Sequence, residues 1–254
     1  MPQPRVQSLE RALDLLEALA GADDLGVSEI AAQTGLVPST AHRLLGTLVA
    51  RGYASQSPTT GRYLLGYKLL ELTSGVQDRL GRLRNAARPH LEAIQAETGE
   101  TTNLVVLEGR DVVYIESVSG TRSVRLHTEV GRSIPAHTSG AGKALLAWRD
   151  PADVASLLDG APLAPSTPHT LTTLAALQED LAKIRRRGYS TDNEEHELGV
   201  ACVATPVLDR AGRPLAAISV SGPISRILHE ETPDLAGLLR EHAEAVSAAL
   251  GQAA

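Results

Sequence analysis

Four groups of residues in this 254-residue chain have types and spacings that could do chemistry. The first, Thr138-Ser139-Gly140-Ala141-Gly142-Lys143, is a glycine-rich turn entering a helix pattern. A nucleotide phosphate loop would need glycine where His137 stands and Ser or Thr where Ala144 stands. What survives is either a helix N-terminus with free N–H groups, suited to a carboxylate or other small anion, or a plain turn. The second, Asp192-Asn193-Glu194-Glu195-His196-Glu197, sets carboxylates beside an imidazole. No other His or Cys lies at a familiar ligand spacing, so a solvated loop is expected rather than a metal site. The third is Cys202 with Ser219 and Ser221. A free cysteine in a strand pattern is more often a small buried hydrophobe than a nucleophile, and nothing in the sequence argues for a lowered thiol pKa. Two serines spaced by two face the same side of their strand, which suggests a polar-lined cavity. The fourth is Ser39, Thr40, His42, Arg43 and Thr47, opposite the leucines of one short helix. Hydroxyls at a helix N-terminus suit phosphates or base edges, and Arg43 could reach a guanine.

Elements that must position these groups are legible in the composition and periodicity. The chain is 43% apolar and 21% charged, which fits a globular protein with a substantial core. It has no Phe, one Trp and five Tyr, so that core is aliphatic. A single cysteine excludes an internal disulfide framework and any multi-cysteine metal site. No apolar run approaches the roughly 20 residues of a membrane span. The opening MPQPRVQSLERAL lacks a signal-peptide apolar region, so the cytosol is the expected compartment. Net charge is −6, yet its distribution is uneven: residues 1–84 carry +1 and residues 85–254 carry −7. Between 26 and 70 the only acid is Glu29, against Arg43, Arg51, Arg62 and Lys68. A local basic face can attract phosphates on an acidic protein.

Leu9, Ala12, Leu13, Leu16 and Leu19 form the stripe of a first helix capped by Ser8. Ser28 is expected to cap a second, short helix closed by Gly35, and Pro38 opens a third that runs to Arg51. A tight turn between the latter two makes a helix-turn-helix. Tyr53–Gln56 and Tyr63–Leu65 then read as a hairpin wing with Arg62 near its tip. This segment resembles the N-terminal domain of the IclR family of bacterial transcriptional regulators. The resemblance rests on Ser8-Leu9-Glu10-Arg11-Ala12-Leu13, Val27-Ser28-Glu29-Ile30-Ala31, Ser39-Thr40-Ala41-His42-Arg43-Leu44-Leu45 and Tyr63-Leu64-Leu65-Gly66. It implies a winged helix-turn-helix.

Leu69, Leu72, Val76, Leu80, Leu83 and Ala87 keep near-heptad spacing. They form either a dimer seam, the favoured reading, or a face docked on the chain's own second domain. Arg88-Pro89 is expected to break this helix. Beyond it, hairpins at 104–115 and 201–220, a strand at 124–126, helices at 140–148, 150–158, 174–187 and 233–250, and caps at Asp150 and Thr173 predict an α+β domain with an antiparallel sheet. The expected division is 1–66 DNA-binding domain, 67–87 linker and 88–254 effector-binding domain. The family resemblance continues through Pro135–Ala147, Ile184–Tyr189, Asp192 with Glu194-Glu195, Gly199–Ala204 and Ala216–Pro223. It implies a GAF/PAS-like effector domain whose pocket is made by Gly140, Ala141, Asp192, Cys202, Ser219 and Ser221, with a small carboxylate as effector. Asp192 would repel that carboxylate unless a proton is shared or a ligand hydroxyl meets it.

The expected function is therefore a ligand-responsive regulator, more often a repressor in this family. Ser39, Thr40, His42, Arg43, Thr47 and Arg62 would contact palindromic operator DNA. A homodimer or dimer of dimers is expected, with no metal and no cofactor. The competing reading, an acyl-transfer or hydrolase enzyme with an accessory helical domain, lacks G-x-S-x-G and a supported Ser/His/Asp order. A DNA-independent dimerising sensor is opposed by the basic wing and the exposed helix.

Overall fold

The computed structural model describes residues 6–229 and 232–252, the side chains of Arg79 and Gln252 apart. The chain divides into two compact units, Met1–Arg79 and Leu80–Ala254. The first holds helices α1 (Gln7–Ala20), α2 (Val27–Thr34) and α3 (Pro38–Ala50), then the two-stranded hairpin β1 (Ala54–Gln56) and β2 (Tyr63–Leu65). Leu15, Leu19, Ile30, Ala31, Leu45, Leu48 and Tyr63 make its core, and Ala41 lets α3 approach its neighbours. Gly35 ends α2 in the left-handed conformation (φ 66°), and Pro38 sits at the start of α3. A side chain at Gly66 would collide with the Gly52 carbonyl, so glycine closes the hairpin onto the end of α3.

Two local expectations are corrected here. Ser8 and Ser28 do not cap: α1 begins after Val6 and α2 after Gly26, while the Glu29 carboxylate accepts the Gly26 N–H at 2.7 Å. The α1 stripe also turns. Leu15 and Leu19 are buried, but Leu9 and Leu13 are 60% and 50% exposed.

Helix α4 runs unbroken from Lys68 to Thr98, straight through Pro89. Proline there removes one hydrogen bond to the Asn85 carbonyl and normally kinks or breaks a helix. Continuity follows from burial: Ala87, Leu91 and Ile94, on both sides of the proline, are fully covered by one side of the sheet. The near-heptad stripe divides accordingly. Leu80, Leu83 and Ala87 pack on the second unit's own core, while Leu72 and Val76 are 52% and 46% exposed.

The second unit is a six-stranded antiparallel sheet with strands β3 (Thr101–Glu108), β4 (Asp111–Val118), β5 (Ser133–Pro135), β6 (Ser190–Asn193), β7 (Val200–Leu208) and β8 (Pro214–Pro223). Their spatial order is β5-β4-β3-β8-β7-β6. Helices α5 (Gly140–Ala147), α6 (Pro151–Leu158) and α7 (Leu174–Arg187) belong to the core of one face. A short α8 (Ile224–Ile227), α9 (Thr232–Gln252) and the second half of α4 belong to the core of the other. Strand alternation does the sorting: in β8, Ala216, Ile218 and Val220 face α9, which leaves Ala217, Ser219 and Ser221 for the α5 side. The expected strand at 124–126 does not form. There Arg226 and Thr101 take the Val124 and Leu126 carbonyls with side-chain donors, so no ladder partner is needed.

Candidate functional site

Helix α3 exposes Ser39, His42, Arg43 and Thr47 to solvent and Thr40 partly, because Ala41, Leu45 and Leu48 face the core. The exposed set spans two turns on one face and is free of acids. Arg62, near the tip of the hairpin, is engaged by two acids. Its Nε donates to Asp24 at 2.6 Å, and its Nη2 donates to Glu29 at 2.8 Å and to the Asp24 carbonyl. A hydrogen bond from Gly26 N–H and the nearby guanidinium hold the Glu29 carboxyl below its ordinary range. Arg62 thus ties the hairpin to the segment before α2.

A pocket in the second unit lies where β7 and β8 meet the start of α5. Ala141, Asp192, Cys202, Ser219 and Ser221 line one cavity of about 50 Å³, with Tyr114, Arg132, Ser139 and His196 among the rest of its wall. Sheet register explains the convergence: Asp192 pairs with Cys202, and Cys202 pairs with Ser221. Gly140 does not line the cavity. It lies behind it, where a side chain would press on the Cys202 sulfur at 3.1 Å and the Asp192 nitrogen at 3.2 Å. Gly142 is equally confined, since a Cβ would collide with the Ala136 backbone. The glycines of this turn therefore let a wholly buried helix start against other backbone, and Ser139 caps it through the Gly142 N–H at 2.9 Å.

Lys143 is the other half of that turn's apparent motif, and it faces no phosphate. Its ammonium is buried between Glu195 Oε1 at 2.6 Å and Asp180 Oδ2 at 2.9 Å. Glu195 in turn donates its backbone N–H to Asp192 Oδ1 at 2.7 Å. His196 meets the Thr138 hydroxyl, and Glu194, in left-handed backbone (φ 58°), accepts the Gly199 N–H. The 192–197 run is thus a folded wall tied down residue by residue, rather than the solvated loop its composition suggests.

Asn103, which the sequence does not announce, lies behind two of the lining serines. It pairs with Ser219 in the sheet, its amide nitrogen stands 3.5 and 3.4 Å from the Ser219 and Ser221 hydroxyls, and its oxygen accepts the Ser117 hydroxyl at 2.9 Å. A lone Asn on a buried strand face was the available signal, since a buried amide needs partners of its own.

Burial governs the titration of this site. The Cys202 thiol is pushed up to about 12, so it stays protonated, and the nearby Asp192 charge reinforces that. Asp192 itself is pushed up to about 7 by desolvation, against the opposing Glu195 N–H bond. A carboxyl raised in the folded state binds more protons there than in the unfolded chain, so its contribution to stability falls as pH rises from about 4 to about 7. Asp192→Asn should remove that part of the slope, up to about 1.4 kcal/mol per pH unit. Denaturant unfolding of both proteins across that range checks it; parallel curves would show an ordinary carboxyl.

The chain is similar to known proteins along nearly its whole length. The family model described as bacterial transcriptional regulator IclR C-terminal matches residues 79–248, and that described as IclR helix-turn-helix domain matches residues 8–58. The chain is 39% identical over 249 residues to the HTH-type transcriptional regulator XynR of Escherichia coli K12, covering 98% of each. It is also 39% identical over 251 residues to the transcriptional repressor IclR of the same strain, covering 97% of this chain and 91% of that one. Among solved structures, an IclR homologue from Microbacterium hydrocarbonoxydans complexed with 4-hydroxybenzoate aligns with TM-score 0.78 and 30% identity. The alignment covers 97% of this chain and 100% of the other.

Proposed function

The chain belongs to the IclR family of bacterial transcriptional regulators, and from that premise we propose how its two units divide the work. It is a DNA-binding regulator with a C-terminal effector domain, and its relatives are regulators rather than enzymes. In our reading, α3 enters a major groove, with Ser39 and Thr40 on the backbone and His42, Arg43 and Thr47 towards base edges. Arg62 holds the wing beside that helix and turns its remaining Nη1 edge to the phosphates. The protein works in the cytoplasm, on a palindromic operator, as a repressor.

A homodimer is supported by apolar side chains exposed within the first unit, Leu9 and Leu13 on α1 and Leu72 and Val76 on α4. Two such faces on one small unit invite a second copy of the same unit, which would set half-site spacing. A further pairing through the second units would give a dimer of dimers.

The observation that carries the effector reading is the convergence of Ala141, Asp192, Cys202, Ser219 and Ser221 on one small cavity. Its size suits a molecule of few non-hydrogen atoms. We assign a small hydroxylated carboxylate: the acid accepts N–H groups at the start of α5, backed by Gly140, and the hydroxyl donates to Asp192. Such a ligand avoids setting two unshielded carboxylates together. A relative's complex with 4-hydroxybenzoate, itself a hydroxy acid, supports the class.

A gel shift with the DNA upstream of the protein's own gene, with and without short hydroxy acids, tests this directly. No binding at low salt overturns the DNA reading; binding unaltered by any acid overturns the effector reading. Ser219→Ala with Ser221→Ala should weaken the effector response at least tenfold while operator affinity without effector stays within twofold. An unchanged response in a titration of operator release would place the effector elsewhere.

A further inference from the structure

A second cavity, of about 220 Å³, opens among α5, α6 and α7 and shares no lining residue with the pocket already described. Leu146, Val154 and Leu181 form its walls, and Arg149, Arg185 and Arg186 stand around it. Arg185 is already committed, since Nε and Nη2 donate to the Ala147 and Arg149 carbonyls and so complete the C-terminal end of α5. The Arg149 and Arg186 side chains make no ion pair or hydrogen bond with any described residue. Residues 85–254 carry 22 acids against 15 bases, so two unpaired cations beside one apolar cavity run against the charge of their surroundings.

Neither feature alone accounts for the other. A purely apolar occupant would leave both guanidinium groups idle, and a compact anion would leave the aliphatic walls wet. We propose that this groove is a second ligand site, for an aliphatic chain ending in a carboxylate. The chain lies along Leu146, Val154 and Leu181, and the carboxylate meets Arg149 and Arg186 in the bidentate geometry guanidinium groups favour. The volume lies below the roughly 300–1,000 Å³ of sites for drug-sized molecules, so a medium-length chain is the fitting size.

Trp148, the only tryptophan, stands between the lining residues Ala147 and Arg149 and packs half-buried against the core, which makes it a built-in reporter. Octanoate titrated into the full-length protein should change Trp148 emission saturably. Hexanoate should bind more weakly, by up to about fourfold per methylene removed. Octan-1-ol, which has the chain without the charge, should bind at least tenfold more weakly than octanoate. Arg149→Gln with Arg186→Gln should lower octanoate affinity at least tenfold with the circular dichroism spectrum unaltered. Ala182→Phe, at an exposed lining position, should fill the groove and abolish octanoate binding without disturbing the core. An absent or non-saturable response, equal affinity for octanoate and octan-1-ol, or octanoate binding retained in Ala182→Phe would each overturn the proposal. So would an octanoate response that emerges only on dilution to the monomer, because a second copy would then be the occupant.

Discussion

Lys143→Met should destabilise the second unit by about 3–5 kcal/mol at pH 8. The substitution keeps an apolar stem of similar length, so little packing is lost; what goes is the charge between two carboxylates. Glu195 Oε1 and Asp180 Oδ2 lie 2.6 and 2.9 Å from the ammonium, and the lysine side chain is 2% exposed. Without the cation these two acids face each other with little water, and Glu195 Oε2 already has no hydrogen-bond partner. Burial pushes the Glu195 pKa up even in the native protein. In the variant Glu195 would titrate higher still, above its unfolded value. The deficit is therefore full above the folded pKa and shrinks as protonation neutralises the pair. Urea unfolding at pH 8 and pH 5 should show a smaller gap at pH 5. Adding Glu195→Gln to Lys143→Met should recover part of the loss, a coupling that unrelated sites would not show. A cost below 1 kcal/mol at pH 8 would mean that water or a rearrangement compensates the acids.

Arg43→Ala should weaken operator binding by about 1–3 kcal/mol, roughly 5- to 150-fold, with the fold intact. Arg43 is exposed on α3 and its side chain is not part of the core, so the loss reports contact with DNA. A residue reading guanine loses affinity chiefly at the one base pair it contacts. One gripping phosphate loses affinity evenly over all sequences and lowers the salt slope by about one. Binding to the operator and to a single-base-pair variant series, at two salt concentrations, separates these outcomes. Unchanged affinity throughout would remove Arg43 from the interface.

Much of this arrangement is written locally. Gly35 and Pro38 mark the turn that makes the helix-turn-helix, because left-handed backbone and a fixed φ are properties of single residues. Asp150 and Thr173 cap where expected for the same reason. Alternation in β8 foretells that Ser219 and Ser221 share a face, and five of the six expected pocket residues line one cavity. Ser8 and Ser28 are local misses, since each helix begins one residue before the serine; the other failures are tertiary. Pro89 reads as a break, yet burial of Ala87, Leu91 and Ile94 carries α4 across it. Leu9 and Leu13 read as core, yet within the first unit's described residues they stay exposed. Ser190–Asn193 is polar enough to pass for a loop, and it is a strand because β7 offers it an edge. Lys143 and Glu195 are 52 residues apart, and nothing in either neighbourhood reveals that they meet.

The grip of Arg62 on Asp24 and Glu29 bears on how DNA affinity is measured. These are solvent-accessible ion pairs, and mobile ions weaken them just as they weaken protein–phosphate attraction. Raising ionic strength therefore acts twice, once between protein and duplex and once inside the module that holds the wing. A count of neutralised phosphates taken from the steepness of affinity against salt will come out too large in this protein. Substituting Asp24 and Glu29, both remote in charge sign from any DNA partner, is the way to subtract the internal share.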